Sequence, residues 1–282
     1  MDEVKQLVEA IDGLKGGLFK DYVYPIAMAL VSTFLGAAVA FWTVRHQENV
    51  KIEKDKLSIA NRWILKMEEA RTNLFAIKRN YHGELTDHPF ERLAVVPTNP
   101  VKHKRLDEDY TNLTFVVPHG LHPDAVPYRW SQITRIRAIL SNYNELMGIW
   151  ERRHDLNEKF KDSIQSNHPG HLITGISFQD AINAHGPDNM LRLIDCNETA
   201  LRLTDSLLEE FTDFVVNFPG FVQTKIDLKL IKRHGTLISY YGDTSDELYR
   251  LLQRSPRADY RNIEGLFRES AEQIERRYSS LM

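Results

Sequence analysis

Residues Tyr22 to Val44 run for 23 positions without a charged side chain, closed by Asp21 on one side and Arg45 on the other. No other stretch constrains the fold as strongly. As a helix rising ~1.5 Å per residue it reaches roughly 35 Å, enough to cross a ~30 Å hydrocarbon layer with some tilt. Tyr22 and Tyr24 stand at one end, Phe41 and Trp42 at the other, where amphipathic rings prefer the headgroup level. Pro25 falls in the first turn, where a missing N–H costs little. A buried core helix would show a polar stripe, and this segment is apolar all round. Ala38-Val39-Ala40 looks like a cleavage site for a signal peptide, but the preceding tail carries five acids against three lysines. A signal n-region is short and basic, so a retained anchor is expected.

The flanking charges set an orientation. Lys5, Lys15 and Lys20 precede the span; Arg45, Lys51, Lys54, Lys56 and Arg62 follow it over a similar length. The excess places the C-terminal side in the cytoplasm, as expected for a single-pass protein of a bacterial inner membrane. A lone cysteine, Cys196, fits a reducing compartment without a disulfide framework. Within the span, Ser32, Gly36 and Ala40 stand four apart, as do Ala29, Thr33 and Ala37. That spacing gathers small residues on one helix face and predicts pairing with a second copy or with a partner membrane helix.

Organisation around the anchor follows from pattern. Residues 1–20 form an amphipathic tail, with Val4, Leu7, Val8, Ile11 and Leu14 on one face and a break expected at Gly16-Gly17. Residues 21–45 are the membrane helix, and 46–282 a helical soluble domain. No glycine or proline interrupts 38–80, so the membrane helix is expected to continue as a stalk to about Tyr81. Leu57, Ala60, Ile64, Met67, Leu74 and Tyr81 keep three-and-four spacing, with Arg71 and Lys78 as polar exceptions. Residues 82–128 hold six prolines and two apolar runs, Leu93–Val96 and Leu113–Val117, each ending at a proline. These read as a small irregular insertion carrying a β-ribbon, and as the surface where a cytoplasmic protein partner would bind.

Beyond the insertion, a helix from Trp130 to about Lys161, capped by Ser131, is expected to lie antiparallel to Leu57–Tyr81. Ser177 opens a short helix ending near Gly186-Pro187. Asp188 caps a long one to about Asn217, closed by a turn at Phe218-Pro219-Gly220-Phe221. Helices to Tyr241, from Gly242-Asp243-Thr244 to Gln253, and from Tyr260 to Tyr278 complete a mainly α chain. Trp63, Phe75, Tyr143, Trp150 and Phe211 are spaced for core packing rather than for stacking on bases.

Chemistry is thin. His119 and His122, with Asp124, and His168 and His171 form two His-x-x-His pairs, the weak candidates for metal ligands; His82, His88 and His103 lie near them in sequence. A catalytic zinc takes three such ligands and an open position, and these could supply a hydrolase. Both pairs sit in loops without a fixed face, and hydrogen-bonded or solvated histidines are the plainer reading. No phosphate-cradling glycine motif or nucleophile elbow occurs, so neither a cofactor nor a catalytic residue is expected. Cys196, beside Asp195, reads as a structural thiol. Glu209, Glu210 and Asp213 read as a solvated stripe, Arg135, Arg137, Arg152 and Arg153 as surface arginines, and Lys102–Arg105 as a loop neutralised by Asp107–Asp109. A net charge of −3 gives no strong electrostatic footprint for nucleic acid or for anionic lipid. The expected function is a membrane-anchored interaction or effector protein without catalysis; a membrane-perturbing effector is a second expectation.

Overall fold

The computed structural model describes residues 2–18, 22–98, 105–107, 109–118, 120, 126–168, 175–240 and 246–279, with backbone alone for 14–18. The chain is mainly helical, without a strand among the described residues. It divides into two compact units, one of residues 1–55 with 229–234, the other of 56–228 with 235–282.

The first unit contains α1 (Asp2–Leu18), the first half of α2 (Tyr24–Arg79) and the turn 229–234. Helix α1 continues through Gly16-Gly17, where a break was expected. Its apolar residues Val4, Leu7, Val8 and Ile11 are exposed. Helix α2 is unbroken across the membrane-type segment and the charged segment, as the absence of breakers predicts, and it passes from one unit into the other.

In the second unit α2, α4 (Ile133–Asn167) and α6 (Pro187–Gln223) each bury an apolar face. The three-and-four series of α2 is buried from Leu57 to Tyr81, with Trp63 and Met67 completely enclosed. Helices α4 and α6 pack most extensively and run antiparallel, since Arg135 meets Glu210 whereas Arg153 meets Asn197. Helices α2 and α4 run parallel, not antiparallel. Asn73 donates to the Tyr143 hydroxyl at 2.9 Å, and one register further along both helices Tyr81 stacks on Trp150 with centroids 6.1 Å apart. A short loop would force neighbouring helices antiparallel; the 82–128 connection is long enough to travel back along α4 before the next helix begins. Its course is marked by Pro97 at Arg153, then Leu106 at Asn144.

The two apolar runs of that connection are helical rather than strands. Leu93–Val95 ends α3 (Pro89–Val95), which the His88 ring nitrogen caps through the Phe90 N–H and Pro89 starts at its first position. Leu113–Val116 lies in a 3₁₀ helix, Tyr110–Val116, capped by the Asp109 carboxylate on the Thr111 N–H at 3.0 Å. Short apolar runs do not by themselves separate strand from helix. Here the caps decide.

Other boundaries moved for local reasons. Ser131 does not cap α4; it closes a 3₁₀ turn, its hydroxyl donating to the Tyr128 carbonyl, and Gln132 takes the cap position. Ser177 does cap α5 (Phe178–His185), accepting from the Asp180 N–H. Gly186, not Asp188, precedes α6, at φ 88° and ψ 144°, a conformation open essentially to glycine alone. Helix α6 runs through Pro219 to Gln223 because Phe218 and Val222 are buried on either side of it and Phe214 stacks on Phe218 at 4.4 Å. Residues 224–234 then form turns and 235–240 an irregular segment, where a helix was expected.

From there the chain returns along α2. Ile238 and Thr236 bond to Asn61, and α7 (Asp246–Leu252) follows. The expected terminal helix is three pieces: a 3₁₀ turn at Tyr260–Ile263, α8 (Glu264–Phe267) and α9 (Ala271–Ser279). Arg268, at φ 56°, breaks it.

Candidate functional site

The charge-free half of α2 is uncovered. Every residue from Tyr22 to Asn49 is exposed, including Phe34 at 74% and Trp42 at 71%. Two of its hydroxyls are satisfied internally: Thr33 donates to the Ala29 carbonyl and Thr43 to that of Val39, each at 2.8 Å. Such back-bonding suits a segment without water around it. By length and composition this one helix can cross a membrane. A Cβ added at Gly36 would meet nothing within 4 Å, so the Ser32–Gly36–Ala40 face is open.

The densest polar chemistry lies along α6, inside the second unit. Lys78 donates to Asp205 and to the Gln253 carbonyl, each at 2.6 Å, while the Ser255 N–H reaches the other Asp205 oxygen at 2.7 Å. Two helical turns away, Glu198 is fully buried between Arg92 at 3.0 Å and the Tyr260 hydroxyl at 3.1 Å. Burial pushes its carboxyl up against the opposing pull of the Arg92 guanidinium. Arg92 also donates to the carbonyls of Thr86 and Pro256. The Tyr278 hydroxyl donates to Asp195 at 2.8 Å, with burial pushing that phenol up.

Arg153 was expected at the surface but is 1% exposed. Its fork donates to Asn197 and to the carbonyls of Leu93, Val96 and Pro97, so it holds the C-terminal end of α3, where the helix dipole is negative. Burial pulls the guanidinium down to about 10. Cys196 donates to the Ile149 carbonyl, and burial raises its thiol to about 11, which makes it the structural thiol expected.

The acidic stripe of α6 is not merely solvated. Glu210 is bridged by Arg129 and Arg135, Asp213 by Arg129 and the Trp130 indole, and Glu209 by Arg254. These pairs tie the segments before α4 and after α7 to α6. Arg135, also read as a surface arginine, is thereby committed to a partner.

Of the histidines, His168 ends α4, its N–H donating to the Ile164 carbonyl; His119, His122 and His171 lie outside the described residues. Among the described residues no three histidine, cysteine or carboxylate side chains converge as a metal site. A cleft of about 420 Å³ opens beside Phe90 and Phe178, with His88 and Glu91 at its wall, and another of about 460 Å³ lies between Arg135 and Arg254. Ser177 also lines the first, its hydroxyl donating to the Asp180 carboxylate at 2.7 Å, and Ser206 lines the second with Glu209 and Glu210.

The buried cations are what pattern reading missed. Their signal was present: Arg71 and Lys78 stand in register with six apolar residues, and a charge on a core face needs a buried partner. Comparison with protein-family models, curated proteins and solved structures returned no match.

Proposed function

We propose that the chain is a single-pass membrane protein of a bacterial inner membrane, with its helical domain in the cytoplasm, acting as an interaction or effector protein without catalysis. The observation that carries this reading is the exposed, charge-free stretch of α2, against which none of the described residues packs. An apolar surface of that size in water is strongly unfavourable, and lipid or a partner helix would cover it. The buried ionic groups are engaged in holding the domain together, which supports a scaffold more than an active site.

Assembly would run through Ser32, Gly36 and Ala40, the small residues that allow two helix backbones to approach. Gly36→Ile tests it. Since a Cβ added there would meet nothing within 4 Å among the described residues, the variant should fold normally. Cysteine-free cross-linking in native membranes should give a dimer band for the parent chain and on the order of tenfold less for the variant. An unchanged band overturns assembly through this face. Protease added to the outer side of spheroplasts should leave the 46–282 domain intact; digestion there overturns the orientation.

A second reading, a membrane-perturbing effector, is favoured by α1, whose apolar residues Val4, Leu7, Val8 and Ile11 face outward. Depolarisation on overexpression, lost when residues 1–44 are removed, would support it.

A further inference from the structure

The chain-wide charge of −3 conceals a local excess of the opposite sign. The turn 229–234 belongs to the same compact unit as the start of α2, although the two lie far apart in sequence. Residues 45–55 with 229–234 carry six lysines and arginines against three acids. The turn is anchored by Ile231, which is fully buried, and by the His234 N–H donating to the Ile231 carbonyl at 2.7 Å; Lys232, Arg233 and His234 are exposed.

A cleft of about 420 Å³ forms there. Lys51 and Lys54 line it with His46 from α2, His234 lines it from the turn, and Asp55 is the one acid among its described lining residues. On the membrane-spanning reading, on which this inference rests, the cleft begins two residues past Val44. Lys51 and Lys54 stand roughly 10–15 Å along the helix axis from that residue. The headgroup layer adds ~5–8 Å on each side of the hydrocarbon, and lysine stems reach back toward it. Trp42, exposed and stacked on His46 at 6.0 Å, marks the interface level.

We propose that this cleft binds the headgroup of an anionic phospholipid. The phosphate would sit among Lys51, Lys54 and the two imidazoles, with Lys232 and Arg233 adding attraction to the leaflet. A lysine or arginine near an anionic surface strengthens binding roughly fivefold, so several acting together separate anionic from zwitterionic lipid.

The test uses the full chain in mild detergent micelles, titrated with phosphatidylglycerol or phosphatidylcholine of the same acyl chains and read by native mass spectrometry. Phosphatidylglycerol should be retained at least about tenfold better. The variant Lys51→Gln/Lys54→Gln/Lys232→Gln/Arg233→Gln should lose that preference, and Lys51→Arg/Lys54→Arg/Lys232→Arg should keep it. Equal retention of the two lipids, or an unaltered preference in the glutamine variant, overturns the proposal. Equally tight binding of glycerophosphoglycerol, which has no acyl chains, makes this a soluble-anion site and overturns the lipid. Alkaline carbonate extraction of membranes separates the two levels. A chain that resists extraction but shows no preference loses only the lipid site; a chain that is released loses the anchor and the lipid site with it.

Discussion

Lys78 occupies a position that the spacing of α2 assigns to the core, and the core accepts it only because Asp205 and the Gln253 carbonyl are there. Removing one member of such a pair leaves the other charge buried without compensation, at a cost of about 3–5 kcal/mol. Lys78→Met and Asp205→Asn should each destabilise on that scale. The double variant should cost less than the two singles together, by about 0.5–3 kcal/mol, because the groups interact directly. Denaturant unfolding of the micelle-solubilised chain, followed by tryptophan emission, measures all three. Strictly additive losses would show that the bond is incidental. The partner residues were unreadable in sequence because Asp205 lies 127 positions away, and nothing local distinguishes it from a surface acid.

Two histidines contribute a pH dependence whose sign is fixed by their burial. Burial lowers the imidazoles of His185 and His82, with Lys78 adding repulsion at the second. His185 meets the Phe160 ring in a T-shaped contact, with its Nδ1 2.9 Å from the Ser163 hydroxyl. A histidine whose folded value lies below its unfolded value of about 6.5 binds its proton more readily when unfolded. Acidification through about 6.5 and downward therefore favours unfolding, and stability rises again as pH is raised through that window. His82→Gln/His185→Gln should flatten the slope between about pH 6.5 and 5. A slope that persists unchanged in the double variant assigns the effect to other groups.

At the scale of elements, the legible parts were those set by local chemistry. The unbroken run without glycine or proline gave α2, and Ser177 gave the start of α5. Pro219 was misread as a stop because its ring normally ends a helix, yet the buried Phe218 and Val222 hold α6 together through it. The β-ribbon failed because Leu93–Val96 is too short for periodicity to separate strand from helix. Helix α3 exists through His88 at one end and Arg153 at the other. Lysine cannot replace that arginine: one ammonium does not serve three carbonyls spread over a helix end, as a planar fork does. Arg153→Lys should cost about 1–3 kcal/mol, the loss expected when buried carbonyls go unpaired. The loss should be local, with amide exchange speeding in Phe90–Val96 before it does in α2 or α6. Unchanged protection there would show that α3 does not depend on the guanidinium.

For the molecule as a whole, the deciding feature is one that pattern reading reversed. Length and composition permit a helical domain beyond an anchor, but they do not say whether α2 and α4 run parallel. That follows from where the long 82–128 connection returns, which is set by contacts such as Leu106 with Asn144. The same logic applies at the other end. The segment after α6 retraces α2 and lays Ser255, Tyr260 and Tyr278 against Asp205, Glu198 and Asp195. It also buries Leu251, Ile263, Phe267 and Ile274. The long helices therefore do not form a self-sufficient bundle to which a tail is added; α6 carries carboxylates whose partners come in part from the tail. Ending the chain after residue 245 would expose that apolar surface and leave Glu198 and Asp205 each short of a partner. The truncated chain should keep most of its helical circular dichroism and lose its near-ultraviolet signal and its cooperative thermal transition, the behaviour of a domain that has collapsed without fixed packing. If it instead unfolds cooperatively within a few degrees of the full chain, the C-terminal segment is an accessory, and α2, α4 and α6 are sufficient.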